Sequence, residues 1–174
     1  FKIDPAWRRL PAEERARDKA EFLAACEDFS QDHSLRAYST IGTRGDTDLM
    51  LLSQSRVLED LHTFHVVLGQ SGLAKWAEIP YSYLAMTKVS EYSEESARHE
   101  ICVSNRKYLF VYPFEKVRDW YTLPLEERRR IMEGHIETGR NYPQIFTCVS
   151  MSASRAVDAL DGTAATAVSG ATGD

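Results

Sequence analysis

Leu35-Arg-Ala-Tyr-Ser-Thr-Ile41, Gly42-Thr-Arg-Gly45-Asp46 and Leu49-Met-Leu-Leu52 decide the fold. The first segment is rich in aromatic and β-branched residues, the last is an apolar run, and the glycines between them mark a turn, so the stretch reads as strand, turn, strand. Upstream, Pro11-Ala-Glu-Glu14 is a proline with an acidic first turn, and Ala16, Ala20, Phe22, Leu23 and Cys26 follow at helical spacing. Downstream, Val57, Leu58, Leu61, Phe64 and Leu68 recur at three and four until Gly69 and Gly72 close a second amphipathic helix. The short apolar start Phe1–Asp4 and the alternating, aromatic Pro80–Thr87 supply the outer strands. The resulting order, β-α-β-β-α-β over residues 1–89, is a ferredoxin-like unit, and the fold class is α+β.

Beyond it, residues 90–105 are polar and charged and read as a linker. Arg106-Lys-Tyr-Leu-Phe-Val-Tyr-Pro-Phe114 is the strongest strand signal in the chain. Pro124-Leu-Glu-Glu-Arg128 then opens a helix that runs to Gly139, and Ile145–Met151 makes another strand. A second, incomplete ferredoxin-like unit therefore spans 106–151. Residues 152–174 are mainly Ala, Ser, Thr and Gly with no aromatic side chain, and are expected to be a disordered tail, because little apolar surface is available to offset ordering entropy. If the second unit repeats the first, a strand, a helix and a strand are missing after Met151, which points to a truncated or frame-shifted gene.

The composition is that of a globular chain: 174 residues, 43% hydrophobic and 27% charged, with 21 basic against 26 acidic side chains for a net charge of -5. This balance argues against a nucleic-acid partner, which needs a basic face. No apolar run is long enough to span a bilayer, and Phe1-Lys-Ile-Asp4 carries no signal-peptide pattern, so the cytoplasm is the expected location. Cys26, Cys102 and Cys148 are far apart and in no metal-ligand spacing, which argues against a disulfide framework or a zinc site.

Six side chains are candidates for chemistry. His135 lies near the end of the third helix beside Leu125, Ile131, Met132 and Ile136, where it is either a satisfied core residue or, as a neutral imidazole on an apolar face, an iron ligand. The turn Thr138-Gly-Arg140 lets a guanidinium reach an anion near that site. Tyr112, with Lys116 four residues on, sits at the end of the strong strand, as packing or as a phenolic acid, electrophile or radical site. His62 and His65 share an i, i+3 spacing that could bind a metal, but no acidic third ligand is convincingly placed. Gly42-Thr-Arg-Gly45 is too short for a dinucleotide fingerprint and opens no helix, which leaves a hairpin turn.

Trp7-Arg-Arg-Leu-Pro-Ala-Glu-Glu-Arg15, Tyr38–Met50, Arg106–Phe114, Asp119-Trp-Tyr-Thr-Leu-Pro124 and Met132-Glu-Gly-His-Ile-Glu-Thr-Gly-Arg-Asn-Tyr142 together resemble the chlorite dismutase-like superfamily, a group of dimeric α/β barrel type. Among its branches the sequence is most similar to the bacterial coproheme decarboxylases. The resemblance covers residues 1 to 150 in order. It implies two ferredoxin-like units per chain, ring-shaped homo-oligomers that are typically pentamers, and a porphyrin held in the C-terminal unit. The implied reaction is decarboxylation of two propionates of iron coproporphyrin III by hydrogen peroxide, giving haem b of haem biosynthesis, with the porphyrin both substrate and redox cofactor.

Carried over by motif position, the resemblance makes His135 the proximal iron ligand and Tyr112 the tyrosine whose radical takes hydrogen from a propionate. It makes Lys116 the basic residue steering that propionate and Arg140 a residue near the porphyrin carboxylates. No residue of the 90–105 linker is matched, and the tail stands where the distal wall would be. The alternatives are a degenerate or fragmentary porphyrin binder, a chlorite dismutase proper, and a ferredoxin-like small-ligand module.

Overall fold

The computed structural model describes residues 1–86, 108–143, 146–152 and 163–170. The chain divides into two compact units, Phe1–Ser82 and Tyr83–Asp174.

In the first unit, β1 (Lys2–Ile3), α1 (Ala12–Asp32), β2 (Ser34–Ser39), β3 (Leu49–Gln54), α2 (Leu58–Gln70) and β4 (Ala77–Glu78) follow the order expected from the sequence. β2 and β3 form the antiparallel hairpin, with Leu35 opposite Ser53 and Tyr38 opposite Met50. Gly42, at φ +81, turns the chain where a side chain would be strained. β1 pairs antiparallel with β4. The Phe1 ammonium donates to the Leu49 carbonyl at 2.7 Å, and the Phe1 carbonyl accepts from the amides of Asp48 and Leu49, so β1 lies beside β3. The strands thus lie in the order β4, β1, β3, β2, the ferredoxin-like arrangement.

The core of this unit comes from both helices. Phe22, Ala25 and Phe29 lie at i, i+3, i+7 on α1, Phe64 and Leu68 at i, i+4 on α2, and Leu73 follows in a short 3-10 turn; all are buried. Phe29 and Phe64 stack at 4.3 Å between ring centroids, and Leu35, Leu49 and Leu51 close the cluster from one face of the hairpin. Asp18 is buried on the same helix, where it accepts from the Trp7 indole N–H at 3.0 Å. Gly72 abuts it so closely that an added Cβ would collide with the Asp18 carboxylate, and its amide donates to Glu21.

The second unit comprises β5 (Ala85–Met86), β6 (Tyr108–Glu115), a short helix α3 (Arg118–Thr122), α4 (Leu125–Arg140), β7 (Phe146–Ser152) and β8 (Thr163–Gly170). Its sheet runs β5-β7-β8-β6, antiparallel throughout. β6, α4, β7 and β8 therefore repeat the first four elements of the first unit, with the third strand inserted between the first and second. Pro113 is accommodated because β6 is the outer strand of this sheet among the described residues.

Three expectations are revised. The strand closing the first unit is Ala77–Glu78, whereas Pro80–Leu84 joins no ladder and Ala85–Met86 belongs to the other sheet. The unit boundary falls after Ser82 rather than at residue 89, and the 90–105 linker lies outside the described residues. Thr163–Gly170, expected to be featureless, is a strand that pairs along the whole of β6 and with β7 from Phe146 to Met151. Two backbone ladders hold it, one on each edge.

Candidate functional site

Tyr112, Lys116, His135 and Arg140 all fall in the second unit, on β6, α4 and the turn after β6. β6 alternates as a half-covered strand must: Leu109 and Val111 are half-buried, whereas Tyr108, Phe110 and Tyr112 are 53%, 60% and 48% exposed. Side chains two apart share a face, so three aromatic residues stand in a row on one side of the strand, each about half exposed. Tyr112 also lies 6.3 Å from Phe114 between ring centroids.

Lys116 follows the strand directly. Its ammonium sits 4.7 Å from the centroid of the Trp120 ring, and both side chains are half-buried. The turn into α3, where the Trp120 amide donates to the Val117 carbonyl at 3.0 Å, brings these two residues to one side of the chain.

His135 is exposed on α4, which rules out the reading of a buried core histidine. Met132 and Ile136 beside it are half-buried, and Ile131, one turn earlier, is 43% exposed. A Cβ built on Gly134 or Gly139 would meet nothing within 4 Å, so the helix surface next to the imidazole is open. Arg140 is exposed in the last turn of the same helix, where a cation also complements the helix dipole. At the opposite end Arg130 grips Glu127 through two bonds of 3.0 and 2.6 Å, which holds the Glu127 carboxyl below its usual range. Along β6, α3 and α4 no side chain whose burial the structure describes is buried.

The other candidates gather no chemistry. His62 and His65 are exposed on α2, and partial desolvation lowers the His65 pKa. No cluster of three His, Cys, Asp or Glu side chains suited to a metal occurs among the described residues. Cys26 is a free, half-buried thiol whose pKa is raised by burial and then by Glu27. Among the described residues no helix is long and apolar enough to cross a membrane. The site reading from sequence missed Tyr108, Phe110 and Trp120. The period-two aromatics of Tyr108-Leu-Phe-Val-Tyr112 and the i, i+4 spacing of Lys116 and Trp120 were the available signals.

This is an α+β protein in which a ferredoxin-like unit with a closed core is followed by a second sheet-and-helix unit bearing an exposed histidine and a half-exposed row of strand aromatics. The chain belongs to the chlorite dismutase family, whose model matches residues 11–159. Its fold is that of a mutant chlorite dismutase from Candidatus Nitrospira defluvii, at TM-score 0.84 and 22% identity over 98% of this chain and 74% of that one. It is also similar to a haem-binding protein from Thermus thermophilus, at TM-score 0.76 and 21% identity over 98% of this chain and 74% of that one. The same Nitrospira enzyme in complex with imidazole matches at TM-score 0.75 and 22% identity over 99% of this chain and 74% of that one.

Proposed function

We propose that the second unit binds an iron porphyrin and that its substrate is iron coproporphyrin III, converted to haem b with hydrogen peroxide. The observation that carries this reading is the row Tyr108, Phe110 and Tyr112, exposed on one strand face of a unit that also exposes His135 beside an open helix surface. A flat apolar macrocycle satisfies what such surfaces lack, since large uncovered aromatic rows mark binding sites. Neutral imidazole is the ordinary axial donor to haem iron, and His135 is the exposed histidine of this unit's described helices. The family membership and the haem-binding Thermus relative support the same class of ligand.

The bound iron porphyrin would supply the redox chemistry with peroxide. His135 holds the metal from α4. Tyr112, as its radical, takes a hydrogen atom from the β-carbon of a propionate and regains its phenol. Lys116 and Arg140 bind carboxylates by charge-assisted hydrogen bonds and so fix which propionate faces the tyrosine. Each turnover balances as propionate, hydrogen peroxide and one proton giving a vinyl group, carbon dioxide and two waters, and two turnovers complete haem b. Assembly into a homo-oligomeric ring belongs to this reading.

The test is titration with iron coproporphyrin III followed by peroxide, read by absorbance and porphyrin mass. Loss of two carboxyl groups supports the decarboxylase; absence of a Soret shift overturns it. Tyr112→Phe should retain binding and lose conversion, and unchanged conversion would remove the radical role. The second reading, decomposition of chlorite to chloride and dioxygen, is favoured by the fold likeness to the Nitrospira enzyme. Dioxygen release on adding chlorite to the porphyrin-loaded protein, without porphyrin mass loss, would select it.

A further inference from the structure

We infer that the turn between β2 and β3 is a latch for the connector that leaves the first unit, with Arg44 and Asp46 holding Tyr81. The connector, residues 79–84, runs from β4 to β5 and joins no ladder. Ile79, Tyr81, Tyr83 and Leu84 on it are between 37% and 53% exposed, so burial holds it less firmly than a core position. Tyr81 is engaged at both its hydroxyl and its ring. The hydroxyl donates to Asp46 Oδ2 at 2.7 Å, and the Arg44 guanidinium lies 5.1 Å from the ring centroid. Arg44 also donates from Nε and Nη2 to the two Asp46 oxygens at 2.8 and 2.6 Å. A lone exposed ion pair contributes little, but a bidentate arginine–carboxylate pair that also accepts a phenol is a network with a fixed orientation.

The turn itself prepares this grip. Gly42 reverses the chain at φ +81, and the Thr40 carbonyl accepts from the Thr43 and Arg44 amides at 3.1 and 3.0 Å. At the base of the turn the Thr40 amide donates to the Asp48 carbonyl at 3.0 Å, Thr47 is buried, and the Asp48 carboxylate is bonded to the Ile3 amide of β1. Arg44 and Asp46 thus stand on backbone already ordered by other bonds, which lowers the entropy cost of closing them on the tyrosine. With Tyr81 held, only Ser82, Tyr83 and Leu84 remain as free chain before β5 starts at Ala85. With Tyr81 released, the free stretch is 79–84, three residues longer, which adds about 10 Å of reach in extended chain. The latch therefore sets the length of the tether between the units.

The experiment is chymotrypsin digestion of the full chain, with mass detection of cleavage after Tyr83, in the unmodified protein, Tyr81→Phe, Asp46→Ala and both together. Where release and closing outpace cutting, the cleavage rate follows the population of released connector. Tyr81→Phe removes the hydroxyl and keeps the ring. It and Asp46→Ala should each raise cleavage about three- to tenfold, the range of one intramolecular hydrogen bond, with the urea midpoint of the first unit unchanged. In the Asp46→Ala background, Tyr81→Phe should have no further effect.

Unchanged cleavage in both single variants would overturn the inference. So would an equal rise from Tyr81→Phe with and without Asp46, because the hydroxyl would then act through another group. A rise matched by new cleavage after the buried Phe22 and Phe64 would also overturn it, since the whole unit would have loosened rather than its connector. Hydrogen exchange gives a protease-free readout: amides 81–84 should exchange faster in Tyr81→Phe while α1 and α2 keep their protection, and equal exchange at 81–84 would sink the latch.

Discussion

The two units share their first four elements and differ in what covers them. In both, a strand, a helix and two further strands place the third strand between the first and second. In the first unit α2 then brings Phe64 and Leu68 down onto Phe22, Ala25 and Phe29, and the aromatics disappear from solvent. In the second, no side chain described on β6 and α4 is buried, and Tyr108, Phe110 and Tyr112 each stay about half exposed. Topology therefore does not decide burial; the element laid across the sheet does. In the second unit we assign that covering role to a bound ring.

The sharpest way to break this comparison is to open the closed unit. Phe64 is 4% exposed and stacked on Phe29, so Phe64→Ala should cost about 3–5 kcal/mol through lost transfer energy and a cavity. Urea unfolding combined with hydrogen exchange should show the loss in α1 and α2, with β6 and α4 unchanged. A loss spread evenly over both units would mean that they do not hold separate stabilities.

The converse experiment closes the open unit. Iron coproporphyrin III should slow amide exchange in β6 and α4 while leaving α1 and α2 as they were, since a ligand stabilises what it binds. His135→Ala should abolish that protection and weaken binding by more than about a hundredfold, beyond the 10–100-fold typical of outer-shell residues. Retention of the ligand spectrum in this variant would remove His135 as the axial donor.

The sequence made the closed unit more legible than the open one, for physical reasons. Period-three-and-four apolar residues located α1 and α2 because those faces are buried, and Gly42 marked its turn because φ is positive there. The pattern failed where burial and sequence part company. Asp18 is buried by one indole hydrogen bond and a glycine contact, and Leu23 fits the helical spacing yet is 56% exposed. β4 is two residues long, too short for any periodicity, so the alternating segment after it took its place in the reading. β8 is held by ladders on both edges and carries no hydrophobic signal to find. His135, Tyr112, Lys116 and Arg140 were found as motif residues, whereas Tyr108, Phe110 and Trp120 emerged only from the exposed strand face and the lysine contact.

The smallest expected effect probes how the closed unit is pinned at its edge. The Asp48 carboxylate, with a side chain 11% exposed, accepts from the Ile3 amide at 2.9 Å and the Lys2 ammonium at 3.2 Å, with Arg8 at 4.0 Å. The Ile3 amide bond, then Lys2 and Arg8, hold its pKa below the ordinary carboxylate value against partial desolvation. A folded-state pKa below the unfolded one gives stability that is complete above the unfolded value of about 4 and is lost as pH falls through the folded value. Asp48→Asn should therefore cost about 1–2 kcal/mol at pH 7, the scale of a charge-assisted hydrogen bond, and progressively less as pH falls below about 4. Urea unfolding of both proteins at pH 7 and pH 3 checks this. A difference that persists undiminished at pH 3 would mean that the side chain ties β1 to β3 by shape rather than by charge. Loosening of β6 in the same variant would show that the covered unit supports the open one.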